Sequence, residues 1–182
     1  MQSILNFKTT EGKNIFDTAI AMADAASDVI LPYFRSKYLT VKNKAIIGFD
    51  PVTEADKNAE KAMINVLKQM RPSDAVLGEE FGELKMEGPF RWVLDPIDGT
   101  RGFIAGTPTW GTLISVERKG YGPIFGIIDQ PYIGERYLGG MGLSEVITRN
   151  AKNALKTSKV EKIEDAILLS TFPEIGTEQE YN

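Results

Sequence analysis

The sequence predicts an α+β fold in which helices pack against an antiparallel-rich sheet. Two stretches before Arg71 carry apolar side chains at three- and four-residue spacing, as amphipathic helices do. Short apolar runs separated by glycine-rich turns dominate after Trp110, which is typical of hairpins. We find no internal repeat, low-complexity segment or Pro/Gly/Ser linker. Helices layered on a sheet bury both kinds of apolar face, which leads to an α+β layered architecture.

Two helices are predicted in the first part of the chain. The first covers about Asn14–Phe34, and Pro32 is expected to kink or end it. The second begins at Thr53, which is a good N-cap residue, and runs to about Met70. Asp56 lies three residues after Thr53, the spacing of a capping box.

Strands are predicted where short apolar runs are bounded by turn residues. These runs are Leu39–Val41, Ala45–Gly48, Ala75–Leu77, Arg91–Leu94, Gly111–Val116, Ile124–Ile128, Glu135–Leu138 and Ala166–Ser170. We expect Asp95-Pro96 to end the strand before it and a short helical turn to follow from Gly99. A last helix is predicted to start within residues 173–180.

The composition restricts the chemistry available to the chain. It has 182 residues, a formal net charge of −4, no cysteine and no histidine. These absences exclude disulfides, thiolate nucleophiles, imidazole catalysis and metals held by sulfur or histidine. The acidic balance provides no polycationic surface for nucleic acid. Any metal must be held by oxygen ligands, which select magnesium, calcium or manganese.

Carboxylates are concentrated in three short segments at predicted strand ends and turns. These are Asp50–Asp56 (DPVTEAD), Gly78–Glu80 (GEE) and Leu94–Thr100 (LDPIDGT). In the third, the turn can aim Asp95 and Asp98 towards one point, with the Ile97 carbonyl between them. The amide groups that follow at a helix start attract an anion. Oxygen ligands for a divalent cation beside an amide site for phosphate are what phosphate-ester hydrolysis needs.

Each segment also has a simpler interpretation. Asp-Pro and Asp-Gly are common turn dipeptides, so spacing alone leaves Asp95 and Asp98 as either turn formers or ligands. Asp56 can simply complete the capping box with Thr53. The Glu-Glu pair can be a solvated pair at a strand end, although two adjacent carboxylates are costly to bury without a cation. The combination of all three segments, in a chain without histidine or cysteine, favours a metal site.

Taken together, the three segments resemble the signature blocks of the inositol monophosphatase superfamily in order and spacing. The resemblance runs from the first helix to the end of the chain, and Asp95–Thr100 is its most specific part. The continuation Arg101–Ile114 is more similar to the histidinol-phosphatase branch than to the inositol branch. The resemblance implies a layered α/β/α/β sandwich of the inositol-monophosphatase / fructose-bisphosphatase type, truncated at its C-terminal end.

The resemblance also implies roles for individual residues. The ligands of catalytic Mg²⁺ are Glu79, Asp95, Asp98 and the carbonyl of Ile97. Asp56 and Thr100 orient the attacking water together with the metal ligand Glu79, and Asp56 accepts a hydrogen bond from the Thr100 hydroxyl. The amide groups of Gly99 and Thr100 hold the phosphate. Arg101 either contacts the substrate or is solvated, and Phe103 and Trp110 form core or pocket wall.

The reaction implied is hydrolysis of a small phosphate ester, either histidinol phosphate or inositol monophosphate. A metal-activated water attacks phosphorus in line, without a covalent enzyme intermediate. One alternative is 3',5'-bisphosphate nucleotidase or fructose-bisphosphatase activity by the same metal chemistry. Another is a non-catalytic regulatory or binding member of the superfamily, or an inactive fragment.

The sequence departs from the superfamily pattern at its end. Members continue through a Trp-Asp-x-Ala-Ala-Gly-like block whose aspartate completes the metal site, and no such string occurs here. We therefore predict impaired metal affinity and an exposed sheet edge or apolar face that invites self-association. Residues 1–145 are expected to form an N-terminal α+β domain that binds metal and phosphate. Residues 146–182 are expected to begin an incomplete C-terminal α/β domain.

The last expectations concern location and partners. The longest apolar runs are too short to span a bilayer, and the first residues lack the basic-then-apolar order of a secretory signal. A cytoplasmic location is therefore expected. The expected partner is a small phosphorylated metabolite, with no nucleic acid and no membrane. A homodimer is expected from the resemblance alone.

Overall fold

The computed structural model describes residues 5–37, 39–43, 51–167 and 169. Its helices are α1 (Thr10–Ile30), α2 (Glu54–Met70) and the short α3 (Thr100–Ala105), and one 3-10 turn covers Ile163–Asp165. Its strands are β1 (Val41–Asn43), β2 (Pro51–Thr53), β3 (Ala75–Gly78), β4 (Gly82–Leu84), β5 (Phe90–Asp98), β6 (Gly111–Arg118), β7 (Gly122–Gln130), β8 (Glu135–Gly140), β9 (Leu143–Thr148) and β10 (Lys152–Ala154).

An eight-stranded sheet forms the centre of the fold, in the order β10-β9-β8-β7-β6-β5-β3-β4. Neighbouring strands are antiparallel except for β3 and β5, which are parallel. The parallel pair means that β3 and β5 end at the same edge of the sheet. The short strands β1 and β2 form a separate antiparallel pair that leads directly into α2.

The two long helices begin where side-chain caps allow them to begin. The Thr9 hydroxyl accepts a hydrogen bond from the Gly12 amide at 3.0 Å, so α1 starts four residues before the predicted Asn14. It ends at Ile30, before the predicted Phe34, because Pro32 cannot donate a backbone hydrogen bond. The prediction for α2 is confirmed, including its capping box.

One face of the sheet is covered by α1 and α2. Apolar side chains from the helices and from alternate strand positions are fully buried between them, including Ile15, Met22, Met63, Trp92 and Val116. Side chains of opposite parity, such as Val93, Leu113 and Ile128, lie on the other face and line one surface groove. Ile128 is 51% exposed there. The predicted exposed apolar face is therefore present on the described residues.

Most predicted strands are confirmed, with differences at their ends. The hairpin strands correspond to β6, β7 and β8, but β5 does not stop at Asp95-Pro96 as predicted. It continues to Asp98 through an irregularity in its pairing with β6. The strands β2, β4 and β10 were not predicted, because each has only three residues and is held by pairing with a neighbour; the six-residue β9 was missed as well.

The strand predicted over Ala166–Ser170 is wrong for the described residues of this range. Ala166, Ile167 and Leu169 lie in no strand, and the side chains of Ile167 and Leu169 are 91% and 88% exposed. An apolar run needs a neighbouring strand to become part of a sheet, and none pairs with these residues. The predictions over residues 45–48 and 173–180 lie outside the described residues.

The predicted domain division at residue 145 falls inside β9, and it remains a prediction. No helix in the described ranges combines the length and apolarity that crossing a bilayer requires.

Candidate active site

The parallel pairing of β3 and β5 brings two of the predicted ligands together. Gly78, the last residue of β3, is in register with Leu94 of β5. The next residue of each strand is Glu79 and Asp95, and the Glu79 amide donates to the Leu94 carbonyl at 3.2 Å. Two acidic side chains from segments 16 positions apart are therefore placed side by side at the carboxyl end of the parallel pair.

A bulge in β5 brings in the third carboxylate. Side chains alternate between the two faces of a strand, so regular pairing would point Asp95 and Asp98 in opposite directions. Asp95 pairs with Leu113 and Asp98 with Gly111, so three steps along β5 match two steps along β6. The extra residue reverses the alternation and leaves Ile97 buried and Asp98 exposed. Both aspartates then lie on one side of the strand, where their charges interact.

The bulge is compatible with proline and is tied to the neighbouring strand. Pro96 has no amide hydrogen to contribute to the ladder, and bulges are among the few strand positions that tolerate it. The buried Thr112 hydroxyl on β6 donates to the Pro96 carbonyl at 2.8 Å. The Asp-Pro-Ile-Asp sequence therefore continues the strand in an altered register and does not end it.

The Asp95 carboxyl group is strongly perturbed. Burial, repulsion by Glu79 and a side-chain hydrogen bond with Glu79 raise the pKa of Asp95 from its ordinary value of 3.8 to about 8, and the Asp98 charge adds to this. One of its oxygens, Oδ1, is buried and has no hydrogen-bond partner. Buried polar atoms without partners are rare, because each costs its full desolvation penalty.

The oxygen atoms of this site are the kind of ligand that a hard cation prefers, but too few of them are close together to complete its coordination. An unpartnered, buried carboxyl oxygen beside a second carboxylate is an oxygen donor set of the kind that Mg²⁺ binds. Within the described residues, however, no three acidic side chains are close enough to form a complete metal-binding group. Glu79 and Asp98 are exposed, so no buried packing holds their side chains in the present rotamers. The structure thus contains a carboxyl pair with a third carboxylate nearby.

Asp56 lies at the start of α2 and is almost completely buried. Its Oδ2 accepts hydrogen bonds from the Thr53 amide at 2.8 Å and the Thr53 hydroxyl at 2.5 Å. Burial raises the pKa of Asp56 above its ordinary value, although the hydrogen bonds from Thr53 act to lower it, and repulsion by Glu80 adds to the rise. The capping role that the sequence left open is therefore real, and it places the carboxylate within electrostatic range of the Glu79-Glu80 turn.

The expected hydrogen bond from Thr100 to Asp56 is not formed. The Thr100 hydroxyl donates to the Ile97 carbonyl at 3.0 Å, three residues back along the chain. A hydroxyl has one hydrogen to donate, and here the Ile97 carbonyl accepts it. The Ile97 carbonyl keeps a second lone pair for another partner.

The start of α3 requires glycine at position 99. Gly99 has φ 87°, in the left-handed region, and a Cβ atom there would lie 2.7 Å from the Thr109 carbonyl oxygen. The next two residues, Thr100 and Arg101, form the first turn of α3, and Arg101 is exposed. Phe103 and Trp110 are buried and pack edge to face with their ring centroids 5.0 Å apart. Of the two predicted alternatives, core or pocket wall, they therefore belong to the core.

Glu60 is also part of this region, although it is not among the predicted site residues. It is fully buried on α2, one turn after Asp56, and its carboxylate accepts hydrogen bonds from the turn that follows Glu79. Burial raises the pKa of Glu60, and the two amide donors oppose that effect. A glutamate within the apolar stripe of a helix was the available signal, because a charged residue is rarely buried without a specific partner.

Comparison with known proteins shows which family the chain belongs to. The sequence pattern of the inositol monophosphatase family matches residues 12–181. The chain belongs to this family. The predicted family and the predicted α+β fold are both confirmed.

Two relatives and one solved structure show how similar the chain is to known members of the family. The chloroplastic bifunctional phosphatase IMPL2 of Arabidopsis thaliana is 42% identical over 161 residues, which make up 87% of this chain and 44% of that protein. A histidinol-phosphatase of Streptomyces coelicolor is 38% identical over 81% of this chain and 56% of its own length. The solved structure of an inositol monophosphatase from Zymomonas mobilis has a TM-score of 0.60 and 40% identity, covering 78% of this chain and 52% of that chain. This member of the family thus spans about half the length of the relatives it matches.

Proposed function

We propose that the protein is a Mg²⁺-dependent phosphomonoesterase that hydrolyses a small phosphate ester. The observation that carries this proposal is the pairing of Glu79 with Asp95, whose buried Oδ1 has no hydrogen-bond partner. Similarity to a histidinol-phosphatase supports histidinol phosphate as the first candidate substrate, with inositol monophosphate as the second.

In this proposal the cation is held by oxygen atoms from the ends of β3 and β5. The ligands are the carboxylates of Glu79, Asp95 and Asp98 and the second lone pair of the Ile97 carbonyl. A bound Mg²⁺ supplies an activated water and neutralises negative charge on the phosphate ester. Among the described residues no third acidic side chain completes a metal-binding group, which supports the predicted weak binding of the cation.

The remaining roles fall to residues at two helix starts. Since Oδ2 of Asp56 is engaged by Thr53, its other oxygen would hold the attacking water, with Glu79 on the opposite side. The Thr100 hydroxyl would assist through its oxygen lone pairs, because its hydrogen is donated to Ile97. The first amides of a helix have no intrahelical acceptor, so those of Gly99 and Thr100 are available to phosphate oxygens. Arg101, which is exposed beside them, would contact the substrate.

We further propose that the protein acts in the cytoplasm as a homodimer. The half-exposed apolar face that includes Ile128 supports self-association.

Phosphate release from purified protein tests the proposed activity. Histidinol phosphate, inositol monophosphate, a 3',5'-bisphosphonucleotide and fructose 1,6-bisphosphate should each be supplied with Mg²⁺ and, separately, with EDTA. We expect Mg²⁺-dependent release, fastest from histidinol phosphate, and its loss in Asp95→Asn. A matched control is Asp74→Asn, since Asp74 is also buried and hydrogen-bonded but precedes β3, at the end of the strand opposite Glu79. Release that persists in EDTA or in Asp95→Asn would contradict the proposal.

A further inference from the structure

A buried glutamate on α2 accepts hydrogen bonds from the turn that follows Glu79. Glu60 lies on α2, and its side chain is 0% exposed. Its Oε2 accepts a hydrogen bond from the Glu80 amide at 2.8 Å, and its Oε1 accepts one from the Phe81 amide at 3.0 Å. Both carboxylate oxygens are therefore used to hold the two residues that directly follow Glu79.

The space for this carboxylate is made by a glycine. A Cβ atom on Gly78 would lie 1.8 Å from Oε1 of Glu60 and 2.3 Å from its carboxyl carbon. Gly78 needs no positive φ, so glycine is required here for the close approach of the Glu60 side chain and not for its backbone freedom. Glu60 and Gly78 thus form one unit, in which the carboxylate fills the position of the missing side chain.

This unit connects the helix that carries Asp56 with the turn that follows Glu79. Asp56 and Glu60 are four residues apart on α2, which places them on the same face of the helix. On its other side, Glu79 is fixed to β5 by the hydrogen bond from its amide to the Leu94 carbonyl. The backbone of Glu79 is therefore held by β5 before the turn and by Glu60 after it, while its side chain shares a hydrogen bond with Asp95.

We propose that Glu60 is a positioning residue, which holds the turn after β3 so that the Glu79 carboxylate stays beside Asp95 and can share a divalent cation with it. The inference rests on the proposed function, because it assigns Glu60 a role in cation binding. Groups that orient a metal ligand commonly change metal affinity by about 10- to 100-fold when they are removed. Glu60 acts on the backbone that carries the ligand and does not contact the cation itself.

A purely structural role for Glu60 makes a different prediction. Two satisfied amides stabilise the fold whether or not a cation binds, so in that case substitution would lower stability and leave cation affinity unchanged. The two roles are separated by comparing Glu60 with Asp74, which is also buried and whose carboxylate accepts a hydrogen bond from Trp92 Nε1 at 3.0 Å. Asp74 precedes β3, so its loss should affect stability without moving the turn after the strand.

The experiment measures Mn²⁺ binding by electron paramagnetic resonance in the whole chain, in four single variants and in one double variant. The single variants are Glu60→Gln, Gly78→Ala, Asp74→Asn and Asp95→Asn, and the double variant combines Glu60→Gln with Gly78→Ala. Glutamine keeps one acceptor and presents an amide group that cannot accept from the second backbone N–H. Alanine at position 78 displaces the Glu60 carboxylate from the other side, so it tests the same contact if Glu60→Gln folds poorly. Amide hydrogen exchange at Glu80 and Phe81 reports directly on their hydrogen bonds to Glu60.

We expect Glu60→Gln and Gly78→Ala each to weaken Mn²⁺ binding by about tenfold or more and to speed exchange at both amides. The double variant should bind no more weakly than the weaker single variant, because both substitutions break the same contact. Asp74→Asn should change the Mn²⁺ dissociation constant by less than about twofold, the additive behaviour expected of a distant site.

The outcomes separate this inference from the proposed function. If Asp95→Asn abolishes Mn²⁺ binding while Glu60→Gln and Gly78→Ala bind as the wild type does, the cation site stands and the positioning role of Glu60 is wrong. Equal weakening by Asp74→Asn would likewise overturn it, since general loss of stability would then explain the effect. A wild-type chain that binds no Mn²⁺, or an Asp95→Asn variant that binds it normally, refutes the cation site and the inference together.

Discussion

Asparagine at position 95 keeps the size of the aspartate side chain and removes a charge that the fold accommodates poorly. In the folded chain burial and the adjacent Glu79 raise the pKa of Asp95 from 3.8 to about 8, whereas in the unfolded chain the carboxyl group ionises freely. Near neutral pH this difference opposes folding. Asp95→Asn should therefore stabilise the protein when no divalent cation is present and should remove its response to Mg²⁺.

The size of the effect follows from the perturbed carboxyl group. A change from 3.8 to about 8 corresponds to roughly 6 kcal/mol at most, at about 1.4 kcal/mol for each tenfold change in the dissociation constant. Asp95 is half-buried and Glu79 is exposed, so solvent screening reduces the expected gain to about 1–2 kcal/mol. For a chain of this size, that gain raises the Tm by roughly 2–8 °C.

Calorimetric or circular-dichroism melts in EDTA and in excess MgCl₂ measure both parts of this prediction. In EDTA the variant should melt above the wild type, and Mg²⁺ should raise the Tm of the wild type alone. The control Asp74→Asn should melt below the wild type in EDTA and keep its Mg²⁺ response, since that carboxylate is paired with Arg71 and Trp92. A variant that melts below the wild type in EDTA, or that is still stabilised by Mg²⁺, would refute the reasoning.

Three further predictions concern pH, the start of α3 and the open face of the sheet. Because the pKa of Asp95 is higher in the folded than in the unfolded chain, the folded chain binds more protons between about pH 4 and 8. The free energy of unfolding, measured in urea without divalent cations, should therefore fall as pH rises through this range. A free energy of unfolding that rises there would contradict this prediction. Gly99→Ala should lower the free energy of unfolding by roughly 1–3 kcal/mol, since it forces alanine to φ 87° and brings its Cβ within 2.7 Å of the Thr109 carbonyl oxygen. Gly120→Ala serves as the control, because it also places alanine at a positive φ but its Cβ would meet no atom within 4 Å. Ile128→Lys should reduce self-association in sedimentation velocity, because it places a charge in the half-exposed apolar face; an unchanged distribution of species would exclude that face as the contact.

The parts of the fold that the sequence predicted well are those governed by local interactions. The second helix was predicted at its true ends, because Thr53 and Asp56 form a capping box that depends only on neighbouring residues. The hairpin strands β6 to β8 were predicted because glycine turns and alternating apolar residues are local signals as well. The strand predicted at Ala166–Ser170 is wrong because a strand also needs a partner, and apolar composition cannot show whether one is present.

Residue types and their order along the chain, with the absence of histidine and cysteine, were enough to indicate a family, an α+β fold and an oxygen-based site at Glu79, Asp95 and Asp98. Only the tertiary structure decided how these carboxylates meet. The parallel register of β3 with β5 sets Glu79 beside Asp95, and one extra residue in β5 turns Asp98 to the same side, whereas a regular strand would point it away. Register depends on which strands pair and where, so it is a property of contacts between distant segments, and no local pattern contains it.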